Sequence, residues 1–519
     1  LLPIAVVLAA GILQADENVD LTTFERIKVE ARDHSHVMEM ASWLTDVFGP
    51  RLTGSPHTQA AAEWAAERMR SWGLANVQLE KWGPYESGVV SDRWTPRDRG
   101  WSNEQFIFRA VVPRPFVIEA VPSVWSPSTN GRKVGPAIRF DVRSLDDMQR
   151  FAGKLKDAFL LVDPPTATPA RFPSLAKRLS DAELDALAGG RTLTGSNHKL
   201  AIQEVRYNVS ETNRARRFLA SEGIAAILYT STGDRNSILL SGSGGAKPRR
   251  KETDELPSVM VGAESFGRIA RILQKDLPVT LELDMQNTFY ENPDVVNVLA
   301  ELPGNDLVLS DEVVMMGAHL DSWTYGTGAT DNGANCAVVM EAMRILKALD
   351  LRPRRTIRVA LWTGEEQGAL GSNAYVQRHF RDWLRQSRGE ETTKPEYERL
   401  SAYFNLDSGC GKIRGIYQQG NAAVRPIFRA WVEAFNDPAM KTVSPFNIGG
   451  GDNTSFDRVD LPSFGFIQDP LEYATRTHHT SADIYERIQP DDMQFNAAVL
   501  ASFAWQAAQR EEKLPRRSQ

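Results

Sequence analysis

The sequence predicts an α/β fold, a mostly parallel mixed sheet flanked by helices, interrupted by a β-rich middle section. Three observations carry that expectation. From residue 292 onward, apolar runs of strand length alternate with amphipathic runs of helix length, as where helices join and cover parallel strands. Between about Trp94 and Met285, Pro and Gly recur among short apolar runs, which reads as brief strands with frequent turns. The chain's 519 residues also exceed one ordinary core, so a second domain or a large insert is expected.

The elements follow in order. Leu1 to Leu13 form an apolar run of signal-peptide length, too short to span a bilayer comfortably. It reads as the remnant of an export signal, which would place the protein in the periplasm or outside the cell. No other apolar run reaches transmembrane length, so no membrane association is expected once the signal is removed. SHVMEMASWLTDVFG and HTQAAAEWAAERMRSWG read as amphipathic helices, the second ending at Gly73. PRLTGS between them is a turn, and NVQLEKW is a strand. In the middle section DAFLLVD and AAILYTS read as buried strands, NRARRFLASEG as a helix ending at Gly223, and PSVMVGAESFGRIARILQK as strand then helix. PVTLELDM alternates. The C-terminal half then runs EVVMMGAH (strand), CAVVMEAMRILKAL (helix), TIRVALWT (strand), GSNAYVQRHF (helix), SAYFNLD (strand), AAVRPIFRAWVEAF (helix), PSFGFIQ (strand) and a last helix from Pro490. RQSRGEETTKPE reads as a solvated loop and EEKLPRRSQ as a frayed tail.

The resulting division is 1–15 signal remnant, 20–115 N-terminal part of the α/β domain, 116–289 insert, 290–512 the rest of the α/β domain, and 513–519 tail. A net charge of −6 gives no basic excess of the kind nucleic-acid binders show. Two cysteines, Cys336 and Cys410, exclude a disulfide scaffold in a chain of this size and leave one bridge open.

Chemistry-bearing residues collect where the C-terminal strands end. EVVMMGAH ends in His319, TIRVALWT leads into GEEQG with Glu365 and Glu366, and SAYFNLD ends in Asp407. Beyond PSFGFIQ lies HHTSAD, with His478 and His479, and Asp331 sits between the first of these strands and its helix. Parallel strands bring such ends to one edge of a sheet, where open α/β folds place their sites. Two histidines with three carboxylates suit zinc. So many carboxylates at close range repel one another, and two divalent cations offset that better than one. One bridging carboxylate, plus a His and a further carboxylate per metal, uses His319, Asp331, Glu366, Asp407 and His479. Glu365 is then left beside a ligand, placed to take a proton from water and pass it to a leaving amine. Asp321, two residues after His319, is placed to accept the N–H of that histidine's other ring nitrogen.

In the order GAHLDS, ATDNGA, GEEQGALGS, NLDSG and HHTSAD, these motifs resemble the co-catalytic zinc exopeptidases, the family of bacterial leucyl aminopeptidases, aminopeptidase S and carboxypeptidase Q. GPRLTGS with AAAEWAAERM resembles the family's opening helices. The resemblance implies a zinc exopeptidase fold, phosphorylase/hydrolase-like, and two zinc ions. Asp331 would bridge them, His319 and Asp407 completing one metal and Glu366 and His479 the other. His479 is preferred to His478 because the family's ligand directly precedes the short polar run ending in Asp, here Thr480 to Asp483. Glu365 would be the general base, Asp321 the carboxylate behind His319, and the Asp331-Asn332 peptide cis. The section from about Phe116 to Met285 resembles the protease-associated domain often inserted in these enzymes, through KLKDAFLLVD, ASEGIAAILY and LPSVMVGAESFGRIARIL, with the 170s to 190s departing from its compact form.

The function expected is hydrolysis of peptides from the amino end, with Tyr473 and Arg476 as substrate contacts and GGGDNTSF from Gly449 as a pocket-wall turn. The alternatives are a dipeptidase or carboxypeptidase, a single-zinc glutaminyl cyclase, and a metal-free receptor-like binding module. Peptides are the expected partners, nucleic acid is not, and a homodimer stays open.

Overall fold

The computed structural model describes residues 17–82, 99–142, 144, 146–168, 170, 172–191, 212–231, 255–291 and 293–517. The apolar run at 1–13 therefore lies outside the described residues. Among them no helix is long and apolar enough to cross a membrane.

Among the described residues, two mixed sheets of eight strands each are flanked by helices. Four parallel strands form the centre of the first: Thr356–Trp362, Val313–His319, Leu400–Asn405 and Ser463–Gln468, in that spatial order. Val296–Leu302 runs antiparallel to Thr356–Trp362, and Ala75–Lys81 pairs beyond it. On the other side Ile413–Tyr417 lies antiparallel to Ser463–Gln468, with Thr442–Ser444 at the edge. The central strands are buried over nearly their whole length, because helices cover both faces. On one face the helices Leu21–Asp33, Pro56–Ser71, Ala334–Ala348 and Pro490–Gln509 share a core with the strands' Val314, Met316, Val359 and Phe404. The other face packs Trp362, Tyr375, Tyr403 and Phe456 against the helix Leu370–His379.

Register sets the site. His319 pairs with Trp362, Gly317 with Asn405, and Asn405 with Gly465. The carboxyl ends of four strands are thus level, and the loops that leave them start from one edge.

The second sheet draws its strands from Arg99 to Glu291, a wider span than the 116–289 expected of the insert. Brief strands were expected around residue 100, but Arg99–Val112 is a single strand of 14 residues paired with Thr280–Glu291. Its polar, turn-forming residues are tolerated because the long partner supplies its hydrogen bonds. The parallel strands Lys133–Arg139, Phe159–Leu161, Ala226–Thr230 and Ser258–Val261 complete its centre. The second sheet packs closely on the turn before the helix Pro56–Ser71: a Cβ on Gly100 would lie 1.8 Å from the carbonyl oxygen of Gly54.

Residues 174–191 leave the second sheet and lie along the first. Lys177 and Leu471 exchange backbone hydrogen bonds of 3.0 and 2.8 Å, and Leu184 and Leu187 pack on Ile467. The expected frayed tail is also docked. Leu514 is buried, its amide donates to Ser401 Oγ at 3.3 Å, and Asn421 Nδ2 donates to the Pro515 carbonyl at 2.6 Å. A single apolar anchor and satisfied carbonyls hold a segment whose composition alone reads as solvated. Cys336 and Cys410 are both buried free thiols.

Candidate metal centre

The strand Val313–His319 delivers His319 to the sheet edge, fully buried. Its Nε2 lies 3.2 Å from Asp331 Oδ1 and 3.2 Å from Asp407 Oδ1. Asp331 arrives through a turn that ends in a cis Asp331-Asn332 peptide, just before the helix Ala334–Ala348. Its other oxygen, Oδ2, lies 3.3 Å from His479 Nε2, which is also 2.9 Å from Glu366 Oε2. One carboxylate therefore faces two imidazoles brought from different strand ends. Among the described residues, potential ligand atoms of His319, Asp331 and Asp407 fall within 4.8 Å of one another, as do those of Asp331, His478 and His479. His478 stacks on His479 at 3.8 Å, but its Nε2 is farther from Asp331, at 3.6 Å.

The electrostatics are those of charge crowded out of water. Burial alone would lower the His319 pKa, but Asp407, Asp321 and Asp331 outweigh it and hold the ring well above its ordinary value. Burial likewise opposes protonation of His479, and Glu366 with Asp331 reverses that. Burial would raise the Asp331 carboxyl, yet His319 and His479 keep it well below the carboxylate range. Burial pushes Glu366 up to about 7, with Asp331 adding to the push. Glu365 is driven well above its ordinary value by burial and by its acidic neighbours Asp407, Asp452 and Glu366, partly offset by His319.

The donors fit a divalent metal. Glu366 Oε1 is a buried oxygen with no hydrogen-bond donor among the described residues, which is costly unless a cation satisfies it. The set of imidazole nitrogens and carboxylate oxygens is what zinc takes.

Asp321 is fully buried, but its role is divided. Its main-chain oxygen lies 3.0 Å from His319 Nδ1, whereas its carboxylate is 3.7 Å away, beyond hydrogen-bond length. The carboxylate instead accepts from the backbone N–H of Glu365 at 3.2 Å, from that of Glu366 at 3.3 Å, and from Thr53 Oγ1 at 2.8 Å. It thus ties the strand end carrying His319 to the loop carrying both glutamates. Tyr473 stands with its ring 4.7 Å from His478, while Arg476 pairs with Glu472 at 3.2 Å. In the turn from Gly449, a Cβ on Gly451 would lie 2.4 Å from Asp407 Oδ2, so only glycine fits there.

Several supporting residues escaped the sequence reading. Arg51 is fully buried and donates to the carbonyls of Leu320 at 2.7 Å, Thr327 at 2.9 Å and Gly328 at 2.9 Å, which fixes the turn between His319 and Asp331. Asp483 accepts from the amides of Thr330 at 2.6 Å and Asp331 at 3.2 Å. Burial pushes its carboxyl up to about 7. Asp452 is buried within range of Asp407, and burial pushes it up to about 8. Arg51 and Thr53 sit in a short turn with no periodicity, so only their neighbours in space reveal them. Asp483 at least stood inside a motif already singled out.

The chain resembles known peptidases. Residues 297–504 match Peptidase family M28. The chain is 25% identical to carboxypeptidase Q of Mus musculus over 479 residues, 92% of this chain and 87% of that protein. Among solved structures it resembles a peptidase M28 precursor from Shewanella amazonensis SB2B, with 26% identity, a TM-score of 0.62 and coverage of 96% of this chain and 99% of that one. It shares its fold with BSAP, a zinc aminopeptidase from Bacillus subtilis, with 18% identity, a TM-score of 0.53 and coverage of 92% and 96%.

Proposed function

From the premise that this chain belongs to peptidase family M28 and is a metallo-exopeptidase, we propose that it is an aminopeptidase working with two zinc ions. The observation that carries the reading is Asp331, whose two oxygens face His319 on one side and His479 on the other. A carboxylate so divided suits a bridge. His319 and Asp407 would complete one ion's ligands, and Glu366 and His479 the other's. Zinc bound there supplies Lewis-acid chemistry, polarising a peptide carbonyl and making water acidic enough to attack near neutral pH.

The chain's own residues do the rest. Glu365 accepts the proton of the attacking water and returns it to the leaving amine nitrogen. Asp321 fixes the loop that carries Glu365 by accepting its backbone N–H. Arg51 and Asp483 hold the turn that presents Asp331.

The choice of the amino end rests on charge. The recess beside Asp331 and Glu366 is also lined by Asp483, and no lysine or arginine lines it among the described residues. Such a surface suits a cationic amino terminus. Removal of a carboxyl-terminal residue, or cleavage of dipeptides, is the second reading, favoured by the match to carboxypeptidase Q along most of both chains. The second sheet would act as a protease-associated domain covering the cleft, and the apolar run at 1–13 would direct export.

The test combines a substrate screen with elemental analysis. Unblocked aminoacyl anilides should be cleaved, N-blocked peptides should not, and zinc should saturate at two per chain. Cleavage only of N-blocked peptides with a free carboxyl end would transfer the assignment to the second reading. One zinc at saturation would remove the bridging role from Asp331.

A further inference from the structure

The connection between two neighbouring parallel strands of the second sheet, Phe159–Leu161 and Ala226–Thr230, crosses to the first sheet and touches the loop that carries His479. That loop opens at Asp469, directly after the strand Ser463–Gln468, and makes one helical turn, Tyr473–Thr477, before the two histidines. Lys177 takes both backbone polar groups of Leu471, and the Leu175 carbonyl accepts from Thr475 Oγ1 at 2.6 Å. Arg178 lies between two buried aspartates. Its Nη1 is 2.8 Å from Asp469 Oδ2 and 2.9 Å from Asp492 Oδ2, and its Nη2 donates to Asp492 Oδ1 at 3.2 Å. Asp492 stands in the first turn of the helix Pro490–Gln509, which is buried along most of its length. One guanidinium thus ties the start of the loop to a helix of the core.

The loop needs such support. Leu471 and His479 bracket its turn, and both hold a left-handed backbone, φ 43° and 55°, which residues other than glycine rarely adopt unless their surroundings fix them. At the far end Thr480 Oγ1 donates to the Arg476 carbonyl at 2.6 Å, so that end is fixed from within the loop. The near end finds its partners in the crossover. Without Arg178, Asp469 keeps Arg414, whose Nη1 lies 2.9 Å from its Oδ1, and Asp492 keeps the uncharged amide of Lys412 at 3.1 Å. The bridge between the two aspartates is then gone.

We propose that the crossover segment 174–180 positions the His479 loop, with Arg178 as its positioning residue, and so sets the affinity of the metal site formed by Glu366 and His479. The second sheet acts on the centre by holding one ligand in place and supplies no group to the chemistry. His319 and Asp407 are set by the strands Val313–His319 and Leu400–Asn405 at the centre of the first sheet, so the effect falls on one metal of two. The inference rests on the reading above that His479 is a ligand.

The test follows zinc binding and hydrogen exchange in the wild type, Arg178→Ala, Arg178→Lys and Thr475→Val. Lys441→Ala is the control, since it breaks a crossover pair with Asp181 rather than a contact to the loop. Competition with a chromogenic chelator measures each zinc in turn. R178A should weaken one zinc by about 10–100-fold and leave the other at its wild-type affinity. Exchange without zinc should quicken in residues 469–483, while Val313–His319 keeps its protection. Excess zinc should restore turnover. R178K, which keeps the charge without the fork, should fall between R178A and the wild type. T475V should weaken the same zinc by less, and K441A should match the wild type. If R178A does not fold, R178K and T475V decide by the same two readouts. Both zincs at wild-type affinity would overturn the proposal, as would equal weakening of both with protection lost throughout, or unchanged exchange in 469–483. His479→Gln separates this from the ligand assignment. If it leaves zinc binding at the wild-type value, His479 is no ligand and the effect on the metal falls, while exchange in 469–483 of R178A still decides whether Arg178 holds the loop.

Discussion

At the scale of single residues the decisive group is Glu365, the acid that directly precedes the proposed ligand Glu366 and is not needed to complete the ligand set. Its backbone N–H is anchored on Asp321, so the side chain is held on a fixed loop. Glu365→Gln keeps the shape and removes the proton-accepting oxygen. Turnover should fall by about 10²–10⁴-fold while zinc content stays at the wild-type value. Near wild-type turnover with full zinc would remove Glu365 from the mechanism. The residues predicted to act together, His319, Asp331, Glu366, Asp407 and His479, were legible because each ends or follows an apolar run of strand length. Their supports were not. Arg51 is recognised only through the three carbonyls of residues 320–328 that it satisfies, and those contacts cross about 270 residues of sequence. The division of Asp321 between a main-chain oxygen for His319 and a carboxylate for the glutamate loop depends on a fraction of an ångström, which spacing cannot supply.

At the scale of elements, the alternation of strands and helices was readable because burial on both faces leaves continuous apolar runs. The parallel order of four strands followed from their helical connections. What pattern could not give was pairing between distant segments, such as Arg99–Val112 with Thr280–Glu291, or the docking of 174–191 on Leu471. The attachment of the edge strand Ala75–Lys81 shows how such contacts are held. His379, at the end of the helix Leu370–His379, lies 2.9 Å from Glu80 on that strand and 3.3 Å from Glu396. Burial works against its charge, but Glu396 and Glu80 prevail and raise its pKa from 6.5 to about 9. The sign follows from linkage: a raised histidine stabilises the fold fully below pH 6.5, and that contribution disappears as pH rises through about 9. Partial exposure screens the pair, so the contribution is about 1–2 kcal/mol. His379→Gln should therefore lower stability by that amount at pH 6, and the gap from wild type should close by pH 10. Urea denaturation at the two pH values measures it, and a gap that is the same at both would show that packing against Tyr375, not charge, is what His379 provides.

At the scale of the whole molecule, the two sheets have different relations to the candidate metal centre. The proposed ligands hang on loops at one edge of the first sheet, residues 319–331, 363–369, 405–411 and 469–483, whereas among the described residues Trp125, between strands of the second sheet, reaches the ring of Trp323 beside His479. Without cations, the buried carboxylates of Asp331, Glu366, Asp407 and Glu365 crowd one another, with His319 and His479 as their nearest positive partners. A ligand that binds only the folded state adds about 4 kcal/mol at a thousandfold excess over its dissociation constant. Chelation should therefore lower the melting temperature by several degrees and abolish peptide hydrolysis, with both restored by added zinc. The loss should also be local. Hydrogen exchange after chelation should quicken in those four loops, while the strand Thr280–Glu291, deep in the second sheet and paired along its length, keeps its protection. Equal acceleration in Thr280–Glu291 would mean that the two sheets unfold as one cooperative unit and that the metal stabilises the molecule globally. Protection unchanged everywhere, with activity lost, would mean that the carboxylate cluster is held by its own framework of Arg51, Thr53 and Asp483, and that the metal serves the chemistry alone.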